Sequence, residues 1–486
     1  MAWNGYACCT MLGLLGALAS CGGDSGGGPP PPPPPPPPVL TSLPLVTLSA
    51  ATPFTNGCDG AVATGVLYTN AEVEPSMAVN PLDPANIVAA WQQDRWSDLG
   101  ARGLLTAVSF DTGHTWNRVA PLVARCDGGN VANGADYERA SDPWLSFAGD
   151  GSAYLLSLSF SGAPLVSGSS SAMLVVRSSD GGMSWGPPAT LISDNASASN
   201  DKGAIAADAT DPHHVYAVWD RFTANNSGPT YFARTTDSGV SWEPAHAIYD
   251  PGVGNQTVGN IPLSLPGGTL LVVFTEFDAV PGGTSATLKV INSGDRGLTW
   301  SPPTTIAAEQ SAGTRDPVTG TLVRDGADLP SAAVDHSGSI YVVWQTSALT
   351  GGQSDAIALS RSMDAGLTWT MPTRVSSDLS VSAFIPNVHV RDDGRIGVSY
   401  YDLRYNQPAS GKFQADYWLA TSLDGATWTD VHVSGPFLLG GAPFAEGLFL
   451  GDYQALSSSG SEFLPLFVTS GADTANRTDV HVAFAP

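Results

Sequence analysis

Short apolar runs alternate with turns rich in Gly, Asp and Ser along most of the chain, and the runs come in pairs. Glu74 to Val79 is followed by Ile87 to Trp91, Asp142 to Phe147 by Ala153 to Leu158, and Ala204 to Ala207 by Val215 to Trp219. Ile261 to Leu265 precedes Leu270 to Phe274, Asp328 to Val334 precedes Ile340 to Trp344, and Ile385 to Val390 precedes Ile396 to Tyr400. Runs of this length between turns such as Gly149-Asp150-Gly151 and Asp392-Asp393-Gly394 read as antiparallel strands joined by hairpins. Several first runs open on a prolyl step, as in Glu74-Pro75, Asp142-Pro143 and Ile385-Pro386.

After each pair and a third apolar run comes a repeated octet, Ser/Thr-x-Asp-x-Gly-x-Ser/Thr-Trp. It stands at Ser109–Trp116, Ser178–Trp185, Thr235–Trp242, Ser293–Trp300 and Ser362–Trp369, with a copy one residue short at Ser422–Trp428. The octet is hairpin chemistry: Asp accepts backbone N–H bonds, Gly supplies a positive φ, and Trp packs on the neighbouring repeat. Its aspartates are therefore read as structural. Each repeat is strand, strand, strand, octet, strand, a four-stranded meander, and meanders set radially make a β-propeller.

A last unit, running from Gly451 to Phe484, has three strands and no octet. Its outer strand is expected from Leu45 to Ser49, which favours seven blades, with six as the alternative. Blades bury their faces only against neighbours, so residues 44–486 form one domain.

The first residues read as targeting. Met11 to Ala19 is apolar and too short to span a bilayer, and Leu18-Ala19-Ser20-Cys21 resembles a bacterial lipobox. That resemblance implies a signal peptide over 1–20, lipid on Cys21, and a place in the bacterial cell envelope at the outer membrane or cell surface. An ordinary secretory signal is the alternative, and the segment before Met11 carries no Lys or Arg. Residues 21–43 are a Gly/Pro-rich linker in which Pro29 to Pro38 are consecutive. As polyproline II they reach on the order of 30 Å, at about 3.1 Å per residue. The lipid is the only membrane link expected, and a monomer is the default.

Charge narrows the partners. Asp and Glu number 44 against 20 Lys and Arg, a formal charge of −24, which repels phosphate backbones and excludes nucleic acid as a partner. Of the five cysteines, Cys58 and Cys126 remain beyond Cys21, and an exported pair is expected to form a disulfide.

The octets resemble the Asp boxes, or BNR repeats, of the sialidase superfamily, and the resemblance covers about residues 70 to 430. It implies a propeller and, as one possible activity, a retaining exo-glycosidase acting on sialic-acid-like or other acidic glycans. Members of that family carry Arg-Ile-Pro on an early strand, three arginines for the sugar carboxylate, and a Tyr/Glu pair with an Asp acid/base. This chain has no Arg-Ile-Pro. A non-catalytic surface module binding polysaccharide or protein is the competing expectation.

In a meander the entry of strand one and the exit of strand two open on one face, opposite the octets. Arg95, Arg221 and Arg404 fall at equivalent strand-two exits. They are expected either to grip a carboxylate together or to pair locally with acids and brace loops. The entry loop Asp136 to Asp142 adds Tyr137, Glu138 and Arg139 to substrate handling, or is a bonded rim loop. A carboxylate on the anomeric carbon repels an anionic nucleophile, and a tyrosine assisted by a glutamate avoids this. On that logic Tyr401 or Tyr137 is the nucleophile, Glu74 or Glu138 its base, and Asp142 the general acid.

Glu74, Asp142, Asp328 and Asp452 all stand at strand-one entries. Their convergence requires a cation such as Ca²⁺, shared protons, or the arginines. No His pair or Asp-x-Asp-x-Asp loop marks a metal site, and no cofactor is predicted.

Overall fold

The computed structural model describes residues 42–62, 65–225 and 227–486. The expected signal peptide, Cys21 and the proline run lie outside the described residues. The chain is an all-β propeller of four-stranded antiparallel blades. One blade comprises Leu67–Asn80, Asp83–Trp96, Ala101–Ser109 and Asn117–Val119, paired in that order. The meander repeats with first strands at Arg139–Phe147, Ala198–Ala207, Gln256–Ser264, Ser331–Val334 and Ala383–Val390. The last unit holds Ala455–Ser459, Glu462–Ser470 and Thr478–Ala483, and the expected outer strand joins it: Leu45–Thr47 pairs antiparallel with Thr478–Ala483, Leu45 facing Ala483.

Alternation along the strands builds the core. Leu155 points into a cluster with Val88 and Leu104 of the preceding blade, whereas its neighbour Leu156 points into one with Ile205 and Trp219 of the following blade. The same division holds onward through Phe232 with Leu270, Leu288 with Val342, and Val343 with Val398. The circuit ends in a cluster that joins Tyr417 and Leu419 to Leu466 and Phe467, and these to Trp91 and Leu105 of the starting blade.

The octets cap the hairpins between third and fourth strands. In the first, Asp111 Oδ1 accepts from Thr115 N and Ser109 Oγ, both at 2.8 Å, and Gly113 N donates to Ser109 Oγ at 2.9 Å. These bonds, that from the Thr115 hydroxyl foremost, hold the exposed Asp111 carboxyl down at about 2. Trp185 reaches back to the preceding blade, where its indole N–H donates to Thr106 Oγ1 at 3.0 Å. The octet aspartates are spent on their own turns.

Cys58 and Cys126 form the expected disulfide, their Cα atoms 4.9 Å apart. Two short strands outside the blades, Val323–Arg324 and Leu448–Phe449, pair in parallel and join the loops that precede two first strands.

Candidate functional site

The first strands run further than their apolar segments predict, because a bulge carries them past the prolyl step. Val73 faces Gln92 and Ser76 faces Ala90, which leaves Glu74 and Pro75 opposite Trp91 alone. The same two-against-one step recurs at Asp142-Pro143, Lys202-Gly203, Gly259-Asn260 and Ile385-Pro386. A bulge is where a sheet tolerates a proline, since the residue there owes no ladder bond. The leading residue of each pair is left-handed, with φ of 54° at Glu74, 51° at Asp142, 46° at Lys202 and 50° at Ile385. That conformation costs roughly 1–2 kcal/mol for a residue with a Cβ, and a following proline restricts it further. Strain of this kind, repeated at one level of a ring, re-aims side chains and gathers at functional positions.

Three re-aimed side chains meet. Lys202 Nζ lies 2.5 Å from Asp452 Oδ2, 3.3 Å from Asp142 Oδ1 and 3.7 Å from Glu74 Oε1. Asp452 also takes Arg324 in a two-pronged pair, Nε to Oδ1 at 2.7 Å and Nη2 to Oδ2. Gln92 donates to Glu74 and, at 2.9 Å, to Ser141 Oγ, while its carbonyl accepts from Arg95 Nη1 at 2.8 Å. Arg95 and Arg324 both pack on the Phe449 ring, 4.8 and 4.7 Å from its centroid. Glu74, Asp142 and Asp452 are 1%, 2% and 5% exposed.

Burial and charge push these acids apart. Burial is the largest influence on Glu74 and holds its carboxyl well above the usual range, although Lys202 pulls the other way. Burial also penalises Asp142, but Lys202 and hydrogen bonds from Glu74 and Asp201 outweigh it and keep Asp142 low. At Asp452 burial is overcome by Arg324 and Lys202, which hold that carboxyl far below the ordinary range. Asp201 is pushed up to about 7, by burial foremost. Burial thus favours the neutral form of Glu74 while Asp142 and Asp452 are pushed toward the ionised form, the division that acid–base chemistry needs.

A pocket opens on this cluster, lined by Lys202, Asn260, Ile385, Asp452, Tyr453 and Trp144. Trp144 packs against the cores of three successive blade pairs and meets the Tyr453 ring edge-on at 5.3 Å. The Tyr453 hydroxyl donates to Pro143 O at 3.2 Å. Burial, then the charges of Glu74, Asp142 and Asp452, push that hydroxyl well above its usual value.

Of the expected arginines, Arg95 alone joins the axis. Arg221 is held by Asp194, with bonds of 2.9 and 2.6 Å, and lies over Tyr231. Arg404 is held by Asp402 at 2.5 Å and Asp430 at 2.8 Å, and lies over Trp418. The three engage separate partners, so the joint carboxylate grip gives way to local bracing wherever an acid stands within reach. Tyr401 does not join the axial cluster: it is fully buried, its hydroxyl donates to Val468 O at 2.8 Å and accepts from Val468 N at 3.0 Å, and its ring sits 4.5 Å from that of Tyr417.

The Tyr137 loop is a bonded rim. Tyr137 packs against the core between the first two blades, Glu138 Oε2 accepts from Gly162 N at 3.0 Å, and Arg139 donates to Asp98 Oδ1 at 2.6 Å over the Trp96 ring. Burial foremost, and then the charge of Asp328, push the Glu309 carboxyl up to about 9. The Lys202 ammonium lies between the converging acids, and no group of three or more His, Cys, Asp or Glu is arranged to hold a metal among the described residues.

Sequence reasoning missed Lys202, Arg324 and Tyr453 as site residues. Lys202 had a signal: it stands before Gly203 at the register where Glu74 and Asp142 stand before proline.

No family model and no curated protein matches the sequence. Solved structures similar to this chain include an α-L-arabinanase of Penicillium chrysogenum complexed with arabinobiose, at 14% identity and a TM-score of 0.49. That match covers 91% of this chain and 98% of the arabinanase. A protein of unknown function from Dyadobacter fermentans matches at 15% identity and a TM-score of 0.48, over 87% of this chain and 97% of its own. A Hadza microbial sialidase matches at 15% and 0.47, over 82% of this chain and 73% of its own.

Proposed function

We propose that the chain is a seven-bladed, sialidase-like glycoside hydrolase, held in the bacterial cell envelope by lipid on Cys21, that acts on acidic glycans at the axial pocket. The observation that carries this reading is the meeting of Glu74, Asp142 and Asp452 around Lys202, with Glu74 and Asp142 pushed in opposite directions in acidity, beside a pocket walled by Trp144 and Tyr453. An aromatic wall takes the apolar face of a sugar, and a few placed polar groups orient it.

Tyr453 takes the role expected of Tyr401. Tyr453 lines the pocket, and its hydroxyl donates to Pro143 O at 3.2 Å. Arg95 and Arg324 receive the sugar carboxylate. Arg95 makes one hydrogen bond, to Gln92, and its Nε is buried without a partner. Phe449 spaces the two guanidinium groups. Asp142, kept ionised by Lys202, is the proton acceptor of the cycle, and Glu74 the donor.

A binding module without turnover is the second reading. The observation in its favour is that Asp452 already engages both Arg324 and Lys202. Release of sugar acid from a panel of acidic reporter glycosides tests the two. Hydrolysis by the wild type, reduced on the order of 10²-fold or more in Tyr453→Phe, supports the enzyme. Retained binding with no release leaves the module, and neither binding nor release refutes both.

A further inference from the structure

A second recess lies between the second and third blades and reaches the axial cluster through Asp201. One wall is apolar: Leu158 and Phe160, both nearly buried, stand beside Leu99. The facing wall is hydroxylated, with Ser169, Ser170 and Ser199. Ser171 and Asn200, behind them, are already engaged: Ser171 Oγ accepts from Asn200 N at 2.9 Å, and Asn200 Oδ1 accepts from the Trp219 indole N–H at 2.8 Å. Among the described residues the hydroxyls of Ser169, Ser170 and Ser199 have no side-chain hydrogen bond, and no Lys or Arg lines the recess. Ser199 itself is 9% exposed, so its hydroxyl stands at the floor of the recess.

We propose that this recess binds a neutral sugar unit, its carbon–hydrogen face on Leu158 and Phe160 and its hydroxyl edge on Ser169, Ser170 and Ser199. An apolar wall with a few polar groups is the usual make-up of small-ligand sites. An anion finds no cation here and meets the Asp201 carboxyl instead. Asp201 is the residue before Lys202, and its carboxyl hydrogen-bonds Asp142, so the recess and the axial pocket share a wall. That the neutral unit belongs to the same glycan as the acidic one rests on the reading above; the recess's own preference for a neutral ligand does not.

The test is binding of the full chain to an array of neutral oligosaccharides ending in hexose, N-acetylhexosamine or pentose, with Ser199→Trp and Ser170→Tyr as independent variants that fill the recess. Melting curves of both variants confirm folding. The expected result is wild-type binding to neutral glycans, weakened at least tenfold in each folded variant. No neutral binding by the wild type, or binding that survives both substitutions, overturns the assignment. Failure of the axial reading looks different: neutral glycans are bound while acidic reporter glycosides are left intact.

Discussion

Lys202 Nζ and Asp452 Oδ2 meet at 2.5 Å although 250 residues separate them in sequence. The pair ties the third blade to the last unit, and Arg324, from the loop ahead of the fifth first strand, closes on the same carboxylate. A contact of this reach forms only when the ring is assembled, so the charge cluster at the axis is as much a record of closure as a chemical site.

Lys202→Met removes the cation shared by Glu74, Asp142 and Asp452 and leaves their carboxyls buried without it. Loss of one partner of a buried ion pair costs roughly 3–5 kcal/mol. Urea unfolding of the variant is expected to show a loss of that size, and a change below about 1 kcal/mol would mean that the cluster contributes little to closure.

The Asp127 carboxyl, pushed up to about 7 by burial, makes stability depend on pH. An unfolded aspartate titrates near 3.9, so between about pH 4 and 7 the native state binds more protons than the unfolded chain, and stability falls as pH rises. The loss from this group is on the order of 4 kcal/mol if the whole shift is expressed. Asp127→Asn keeps an oxygen for Ala124 N, which now donates to Oδ1 at 2.7 Å, and removes the titration. Unfolding midpoints at pH 5 and pH 8 should differ less in the variant than in the wild type.

Tyr401 and Tyr453 are expected to separate stability from activity. Tyr401→Phe strands Val468 O in the core, while Val468 N keeps Gln454 Oε1 at 3.0 Å; the cost is about 1–3 kcal/mol and glycan handling stays intact. Tyr453→Phe loses one bond, to Pro143 O, and is expected to be nearly neutral in unfolding while abolishing turnover. Paired melts and assays check this, and the reverse pattern would move the site to the sixth blade.

The disulfide between Cys58 and Cys126 closes a loop with a sequence separation of 68. Chain-entropy reasoning gives it about 4 kcal/mol, with 2–4 typical of measured bridges. Cys58→Ser with Cys126→Ser should lower unfolding stability by that amount, read against the oxidised wild type.

The blade plan was legible in the sequence because octet and prolyl step recur at fixed places in each meander, and both are local turn chemistry. The pairing of Leu45–Thr47 with Thr478–Ala483 followed from a unit that lacked an outer strand. The site was less legible. Glu74, Asp142 and Asp452 were readable from their entries, but Arg221 and Arg404 stood at positions equivalent to Arg95 and still turned to Asp194 and to Asp402 with Asp430. Asp194 and Asp430 stand on outer strands brought up by packing, whereas Asp402 is a local partner two residues from Arg404. Tyr401 failed for a related reason: its period-two neighbour relation places it on the sheet face that meets the last unit, where Val468 occupies its hydroxyl.

The most direct test of the account is a crystal structure of the protein soaked with a free sugar acid such as N-acetylneuraminic acid. The account predicts the ring between Trp144 and Tyr453, with its carboxylate toward Arg95 and Arg324. Electron density for the sugar at the octet hairpins or along an outer blade edge, with the axial pocket holding solvent, would contradict it.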